Sequence, residues 1–372
     1  MRIMKFVLQK EFRQIFRDKN MLRMIFMIPI IQLLVLPQAA NFTIKNINLA
    51  VVDHDHSSYS QKFISKILSS GYFKLAGNDA SYNESYKLIE KDKADIILEI
   101  PQGFEKNLVR ENSQKLYVAV NAINGTKALV GSGYLNSIIM DYNNEIRLQW
   151  IHPDKFNPLP TIDIATSNWF NPNLTYYIFM VPGILVMLIT LIGGNMSALN
   201  IVKEKEIGTI EQINVTPLKK YHFLLGKLIP FWIIGMVVFS IGLTIARLVY
   251  GIIPLGNIGL LYLFLAVYLF AILGFGLLIS TYAETQQQAQ SLTFFFVMIF
   301  NLMGGLFTPI DSMPDWAQWI TRLIPISYFI NVMRMVVLKG SAFSDIQYHL
   351  LIVFIMGLIL NGWAILNYKK TS

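Results

Sequence analysis

The chain has 372 residues, of which 54% are hydrophobic and only 15% charged, and it has no cysteine. A soluble domain carries about 25% charged residues, so this composition, with a mean hydropathy of +0.47, points to lipid as the main solvent. It also excludes a disulfide framework or a thiolate metal site. The net charge of +8 does not argue for nucleic acid. Residues 42–172 hold 13 Lys/Arg against 14 Asp/Glu, so the excess lies beside the apolar segments, where the positive-inside pattern places it.

Residues 1–20 read as an amphipathic helix. Met4, Leu8, Phe12, Ile15 and Phe16 share one face, while Lys5, Gln9, Arg13 and Arg17 lie elsewhere. Such a helix lies on the inner membrane surface; the plainer reading is a basic topogenic signal. A spanning helix needs about 20 mostly apolar residues, and residues 21–41 supply the first. Gln38-Ala39-Ala40 resembles a signal-peptide cleavage site, but the long amphipathic start favours an uncleaved anchor.

Residues 42–172 form a near-neutral insertion. Ile47–Val52, Ala94–Ile100 and Lys115–Val120 read as strands. Ser57–Ser70, Tyr82–Lys93 and Lys127 to about Trp150 have helical spacing. Strands alternating with helices predict a small α/β domain, large enough at this length to bury its own core.

Residues 173–372 hold five further spans, at 174–201, 224–250, 257–281, 290–308 and 346–367. Basic residues cluster before the first span, after the second (Lys203, Lys205, Lys219, Lys220, Lys227) and after the last (Lys369, Lys370). Both termini are therefore expected in the cytoplasm and residues 42–172 outside it. The fold class is thus an α-helical polytopic membrane protein, with six transmembrane helices and an inserted α/β extracytoplasmic domain. Within the cytoplasmic connection, 202–223, Gly208 breaks one helix. Thr209 and Gln212 have capping-box spacing for a short second helix that Pro217 ends. Residues 309–340 are too interrupted to cross. They predict two short outer re-entrant helices, the first capped by Ser312 and striped by Trp316, Trp319, Ile320 and Leu323, the second from about Ser327 to Leu338.

The sequence contains no phosphate-cradling Gly-x-x-x-x-Gly-Lys-Ser/Thr loop, zinc-helix motif or nucleophile elbow, so no catalytic, cofactor or metal residue is expected in this chain. His54 and His56 are two apart and can share a face, but a solvated turn after the first strand is the simpler reading. Arg247 and Arg334 lie near outer ends of their segments, where arginine snorkels, and Glu284 lies in a short cytoplasmic turn. No chain of intramembrane carboxylates marks a proton relay.

Four motif groups, in order, resemble the permease subunits of ABC-2 type exporters, in the subgroup with a large domain after the first span. They are Asn168-Trp169-Phe170-Asn171-Pro172 with Val181-Pro182-Gly183; Lys203 to Gln212 with Thr216-Pro217 and Leu225-Gly226-Lys227; Ser280-Thr281 with Thr285-Gln286-Gln287-Gln288-Ala289; and Phe307-Thr308-Pro309-Ile310 with Met313-Pro314, Trp316, Pro325, Tyr328 and Leu338-Lys339-Gly340. Phe170, where the family often has tyrosine, and Thr308 depart from the pattern.

The resemblance implies a multi-pass subunit of the bacterial inner membrane that pairs with a second permease, as homodimer or heterodimer. A separate ABC ATPase subunit, which binds ATP and Mg, rests against it, and a periplasmic adaptor is a further partner. Glu204, Glu206, Gly208, Thr209, Glu211, Gln212, Thr216 and Pro217 would form the ATPase-coupling segment. The cargo class would be drug, lipid, peptide or ion, and multidrug efflux is one such function. Two other readings compete: an ABC assembly that transmits force to periplasmic partners without transport, and a membrane receptor. The small cytoplasmic connections disfavour the receptor.

Overall fold

The computed structural model describes residues 2–39, 46–150, 169–172, 175–209 and 220–367. They form two compact units, one of residues 1–41 with 166–372 and the other of residues 42–165. The closing boundary expected for the insertion, at 172, is approached through 151–168, outside the described residues.

In chain order the elements are α1 (Arg2–Arg17), α2 (Lys19–Ala39), β1 (Ile47–Asp53), α3 (Ser58–Ser69), β2 (Phe73–Asn78), α4 (Tyr82–Glu90), β3 (Ile96–Ile100), α5 (Phe104–Glu111), β4 (Tyr117–Val120) and α6 (Gly125–Trp150). They continue with α7 (Tyr176–Glu206), α8 (Lys220–Tyr250), α9 (Ile258–Tyr282), α10 (Gln286–Met303), α11 (Asp315–Thr321), α12 (Pro325–Lys339) and α13 (Phe343–Asn367).

The inserted unit is an α/β domain with strand order β2-β1-β3-β4. β1 pairs in parallel with β2 and β3, and β4 runs antiparallel to β3. The central strands β1 and β3 are buried nearly throughout, because helices cover both faces. Phe63 and Ile67 of α3, Phe104 of α5 and Leu135, Tyr142 and Ile146 of α6 pack with Leu49, Val51 and Leu98 on one face. Leu88 and Ile89 of α4 pack with Ala50, Val52 and Ile97 on the other. The Tyr142 hydroxyl donates to the Tyr59 carbonyl at 2.9 Å, and burial pushes its pKa up to about 12.

Three strands were legible from their apolar runs. The fourth, β2, is an edge strand with only Phe73 buried, so it carries no alternation to read. α5 also escapes sequence reading, since Gly103, in the left-handed region, precedes it without a side-chain cap. Its cap comes from afar: the Asp55 carboxylate accepts from the Glu105 N–H at 3.1 Å. Desolvation raises the Asp55 pKa, but hydrogen bonds from Ser57 and from the backbone of residues 103–105 lower it further, so the net shift is downward. The residues around it form the expected turn. Asp53 accepts from the N–H groups of Asp55 and His56 and from the Ser60 hydroxyl. His54 turns to Glu99 at 3.1 Å while His56 lies 3.9 Å from Asp53, so the two histidines have different partners. Among the described residues no cluster of three or more His, Asp or Glu could hold a metal ion.

In the other unit, among the described residues, five helices are long and apolar enough to cross a membrane: α2 from Met21, α7, α8 from His222, α9 and α13; the count is six if the bent pair α11–α12 is one span. The expected span at 290–308 corresponds to α10, an 18-residue helix that is not among these five, because its first turn is Gln286-Gln287-Gln288. Its buried residues, Ala289, Thr293, Val297 and Asn301, recur every four positions. Thr293 and Val297 lie beside Gly194 of α7. α7 and α9 form the centre. A Cβ on Gly276 would sit 2.4 Å from the Gly194 carbonyl oxygen, so only glycine lets these backbones approach. The fully buried Tyr268 hydroxyl meets the Thr190 hydroxyl across the same contact.

α11 and α12 meet at 84°. Ser312 does not cap α11 as expected. It ends a short 3-10 turn and donates to the Pro309 carbonyl, and Pro314 precedes the helix instead. Pro325 starts α12, two residues before the expected Ser327, at a position where its missing N–H is harmless. The Trp316, Trp319 and Leu323 stripe faces outward. Arg334 does not extend freely to the surface. Its guanidinium stacks 3.8 Å from the centre of the Phe179 ring and donates to the Gly305 carbonyl at 3.0 Å.

Candidate coupling site

α7 ends in a dense polar sequence, Asn200 to Glu206, and these side chains reach in turn to four neighbouring helices. Lys227 of α8 is 1% exposed, close to the apolar start of its helix. Its ammonium donates to Asn200 Oδ1 at 2.5 Å. It lies 2.8 Å from Glu204 and 3.0 Å from Glu11, both buried. Lys10 of α1 closes the cluster, donating to Glu204 at 2.8 Å and lying 3.3 Å from Glu11. Two ammonium groups thus face two carboxylates. Balanced pairing of this kind is what lets charges sit out of water. Burial pulls the Lys10 pKa down, but Glu204 and Glu11 more than offset it, so Lys10 is raised and stays charged.

The remaining side chains extend the hub. Lys203 donates to Asp18, between α1 and α2, at 3.2 Å. The Lys205 ammonium donates to the carbonyls of Ser280 and Ala283 at the end of α9, where a cation meets unpaired carbonyls and the negative end of the helix dipole. Glu206 accepts from the backbone and side-chain amides of Gln286, the first residue of α10, at 3.3 and 2.7 Å. Gly226 lets α1 close on α8. A Cβ there would lie 2.3 Å from Val7.

Of the residues expected to form the coupling segment, Glu204 points inward into the ion cluster and Glu206 binds α10. Gly208 has φ +80° and ends α7, its N–H donating to the Lys205 carbonyl at 3.0 Å. The Thr209 hydroxyl donates to the Glu204 carbonyl at 3.3 Å. Glu211, Gln212, Thr216 and Pro217 lie outside the described residues. Sequence reading took Lys10 only as topogenic charge, placed Lys227 in the coupling-segment resemblance without a partner for it, and passed over Glu11 and Asn200. Glu11 did carry a signal, as the only acid in an otherwise basic first helix. So did Lys227, a cation directly after a glycine inside an apolar run.

The architecture defines a polytopic helical membrane protein with an inserted α/β domain and a polar hub where the end of α7 meets α1, α8, α9 and α10. Its sequence matches the family described as ABC-2 family transporter protein over residues 19–366. The chain belongs to that family. It is 28% identical over 337 residues to the Escherichia coli K12 protein named "Probable multidrug ABC transporter permease YbhR", covering 90% of each chain. It is 25% identical over 369 residues to the E. coli K12 "Inner membrane transport permease YhhJ", covering 97% of this chain and 96% of the relative. "ABC transporter G family member 20" of Dictyostelium discoideum is 24% identical over 368 residues, 96% of this chain but 48% of the relative.

Proposed function

We propose that this chain is the membrane-spanning subunit of an ATP-driven exporter, coupled through residues 202–223 to a separate ABC ATPase subunit that binds ATP and Mg. The observation that carries this reading is the hub: α7, the helix that enters the connection, is tied by ion pairs and hydrogen bonds to α1, α8, α9 and α10 within its last seven residues. A push on the connection passes through Gly208 and Thr209 into α7 and from there into its four partners. Buried Glu204 transmits, and exposed Ile207 is available to the ATPase. ATP can drive the cycle only if its binding distinguishes two arrangements of these helices.

The proposed setting is the bacterial inner membrane, with both termini cytoplasmic, the α/β domain extracytoplasmic and a second permease completing a dimer. The multidrug relatives favour drug-like cargo, and an inserted domain outside the membrane fits a periplasmic adaptor. Co-purification in mild detergent tests the partnership: an ABC ATPase in about equal amount is expected, and its absence refutes the reading. Gly208→Pro is expected to abolish cargo-stimulated ATPase activity while the chain still inserts and assembles. Normal stimulation in that variant removes the coupling role.

A further inference from the structure

The sequence sets the apolar stripe of α1, Met4, Leu8, Phe12, Ile15 and Phe16, against the membrane. The structure turns much of that stripe inward instead. Ile15 and the hub acid Glu11 are buried, and Met4, Val7 and Leu8 are half-buried. The opposite side of the helix is open. It holds Lys5, Phe6, Gln9, Arg13, Phe16 and Arg17, all exposed and all within one side by helical spacing. Phe6 is 68% exposed and Phe16 59%, with Phe16 stacked on Phe12 of the same helix.

This face is cationic as well as aromatic. The one acid of α1, Glu11, is held by Lys10 and Lys227, and Asp18 pairs with Lys203. Among the described residues no carboxylate pairs with Lys5, Arg13 or Arg17. A second copy of the chain is a poor cover for such a face, because a two-fold contact would set the same three cations against themselves.

Its neighbours fix its depth. Asp18 alone separates α1 from α2, whose apolar span starts at Met21. Val7 closes on Gly226 and Glu11 pairs with Lys227, near His222 where the span in α8 starts. α1 is therefore held where spans leave the hydrocarbon, at the headgroup layer. There phenyl rings reach the acyl boundary while cations meet phosphates.

We infer that the open face of α1 binds the anionic phospholipid headgroups of the leaflet on the hub side. Lys5, Arg13 and Arg17 meet the phosphates, and Phe6 and Phe16 enter the acyl boundary. The inference rests on the membrane-spanning fold and not on the exporter reading.

Gln9 lies in the middle of this face, and the chain has no cysteine, so Gln9→Cys gives a lone thiol for an environment-sensitive fluorophore. The full labelled chain is placed in phosphatidylcholine nanodiscs with increasing phosphatidylglycerol. A trace of phosphatidylcholine carrying a nitroxide near the top of its acyl chain serves as quencher. Phosphatidylglycerol is expected to shift the emission to the blue and to increase quenching, and high salt to reverse both. Adding Arg13→Gln is expected to raise the phosphatidylglycerol fraction needed for half-maximal quenching about fivefold. Adding Lys5→Gln and Arg17→Gln as well is expected to remove the dependence, with thermal unfolding unchanged.

A label that stays in water at every lipid composition overturns the inference. Equal quenching with and without phosphatidylglycerol overturns the role of the cations, a result the salt titration reads even where the triple variant is poorly folded. A label shielded only when an ABC ATPase is added, and then beyond reach of the nitroxide, would give this face to the ATPase and would also overturn the inference. The lipid readouts need no ATPase, so their failure leaves the exporter reading standing, and failure of the exporter reading leaves them unchanged.

Discussion

Lys227 concentrates the energetics of the hub in one side chain. Removing its charge strands two buried carboxylates, Glu11 and Glu204, with half-exposed Lys10 as their remaining cation. Breaking a buried pair on one side costs about 3–5 kcal/mol, whereas replacing the whole pair by apolar or neutral groups is often tolerated. Lys227→Met is therefore expected to lower the thermal midpoint and the yield sharply. Adding Glu11→Gln to Lys227→Met is expected to recover much of the loss. A double variant no better than the single one would show that the ion pair is not what holds α1. In the inserted domain, Asp55 plays a comparable part for α5. Its pKa is lowered in the fold, so its contribution is complete above the ordinary carboxylate range and disappears as pH falls through the folded value. At pH 7, Asp55→Ala is expected to cost about 1 kcal/mol, as for a lost helix cap. The check is faster hydrogen exchange at the Glu105 amide in the whole chain, and unchanged exchange there would remove the capping role.

The helices divide into those held by small residues and those held by charge. α7 and α9 meet at Gly194 and Gly276, and a Cβ on Gly276 has no room against the Gly194 carbonyl. Close approach through small residues is how helices associate in lipid, where apolar surface alone gives little drive. Gly276→Leu is expected to force the two apart, at a cost of at least the 1–3 kcal/mol typical of overpacking, seen as loss of the folded chain on size exclusion. A variant that elutes and melts like the wild type would mean this contact is not tight. α10 poses a separate question, being shorter and more polar at its start than its neighbours. Val297 faces Gly194, and a charge at the centre of a span costs about 2.5–3.5 kcal/mol on insertion scales. Val297→Lys is expected to prevent assembly, and normal assembly would place α10 outside the hydrocarbon. Spans were legible because about 20 apolar residues in a row have few other uses. β2 and α5 were not, since one is an edge strand with a single buried residue and the other takes its cap from Asp55, 50 positions away. The hub was half legible. Gly208 and Thr209 mark the end of α7, but a pairing such as Lys10–Glu204, 194 positions apart, leaves no local pattern.

At the scale of the whole molecule, exporter function requires the hub and the inserted domain to lie on opposite sides of one membrane. The charge distribution argues for this. The basic excess flanks α1, α7, α8 and α13 at the hub end, while the inserted domain is near neutral. The positive-inside rule acts through such short flanking segments. The absence of cysteine makes the question direct, because any thiol introduced is unique. Gly71, in the turn after α3, has φ +77° and open space around it, and Glu284, between α9 and α10, is exposed. A membrane-impermeant maleimide added to intact cells whose outer barrier has been permeabilised is expected to label Gly71→Cys and not Glu284→Cys. In inverted inner-membrane vesicles the pattern is expected to reverse. Labelling of both from the same side would break the topology, and with it the assignment of the hub to an ATPase. The opposite pattern in both preparations would place the inserted domain in the cytoplasm, where it, rather than residues 202–223, would be the surface presented to a soluble partner.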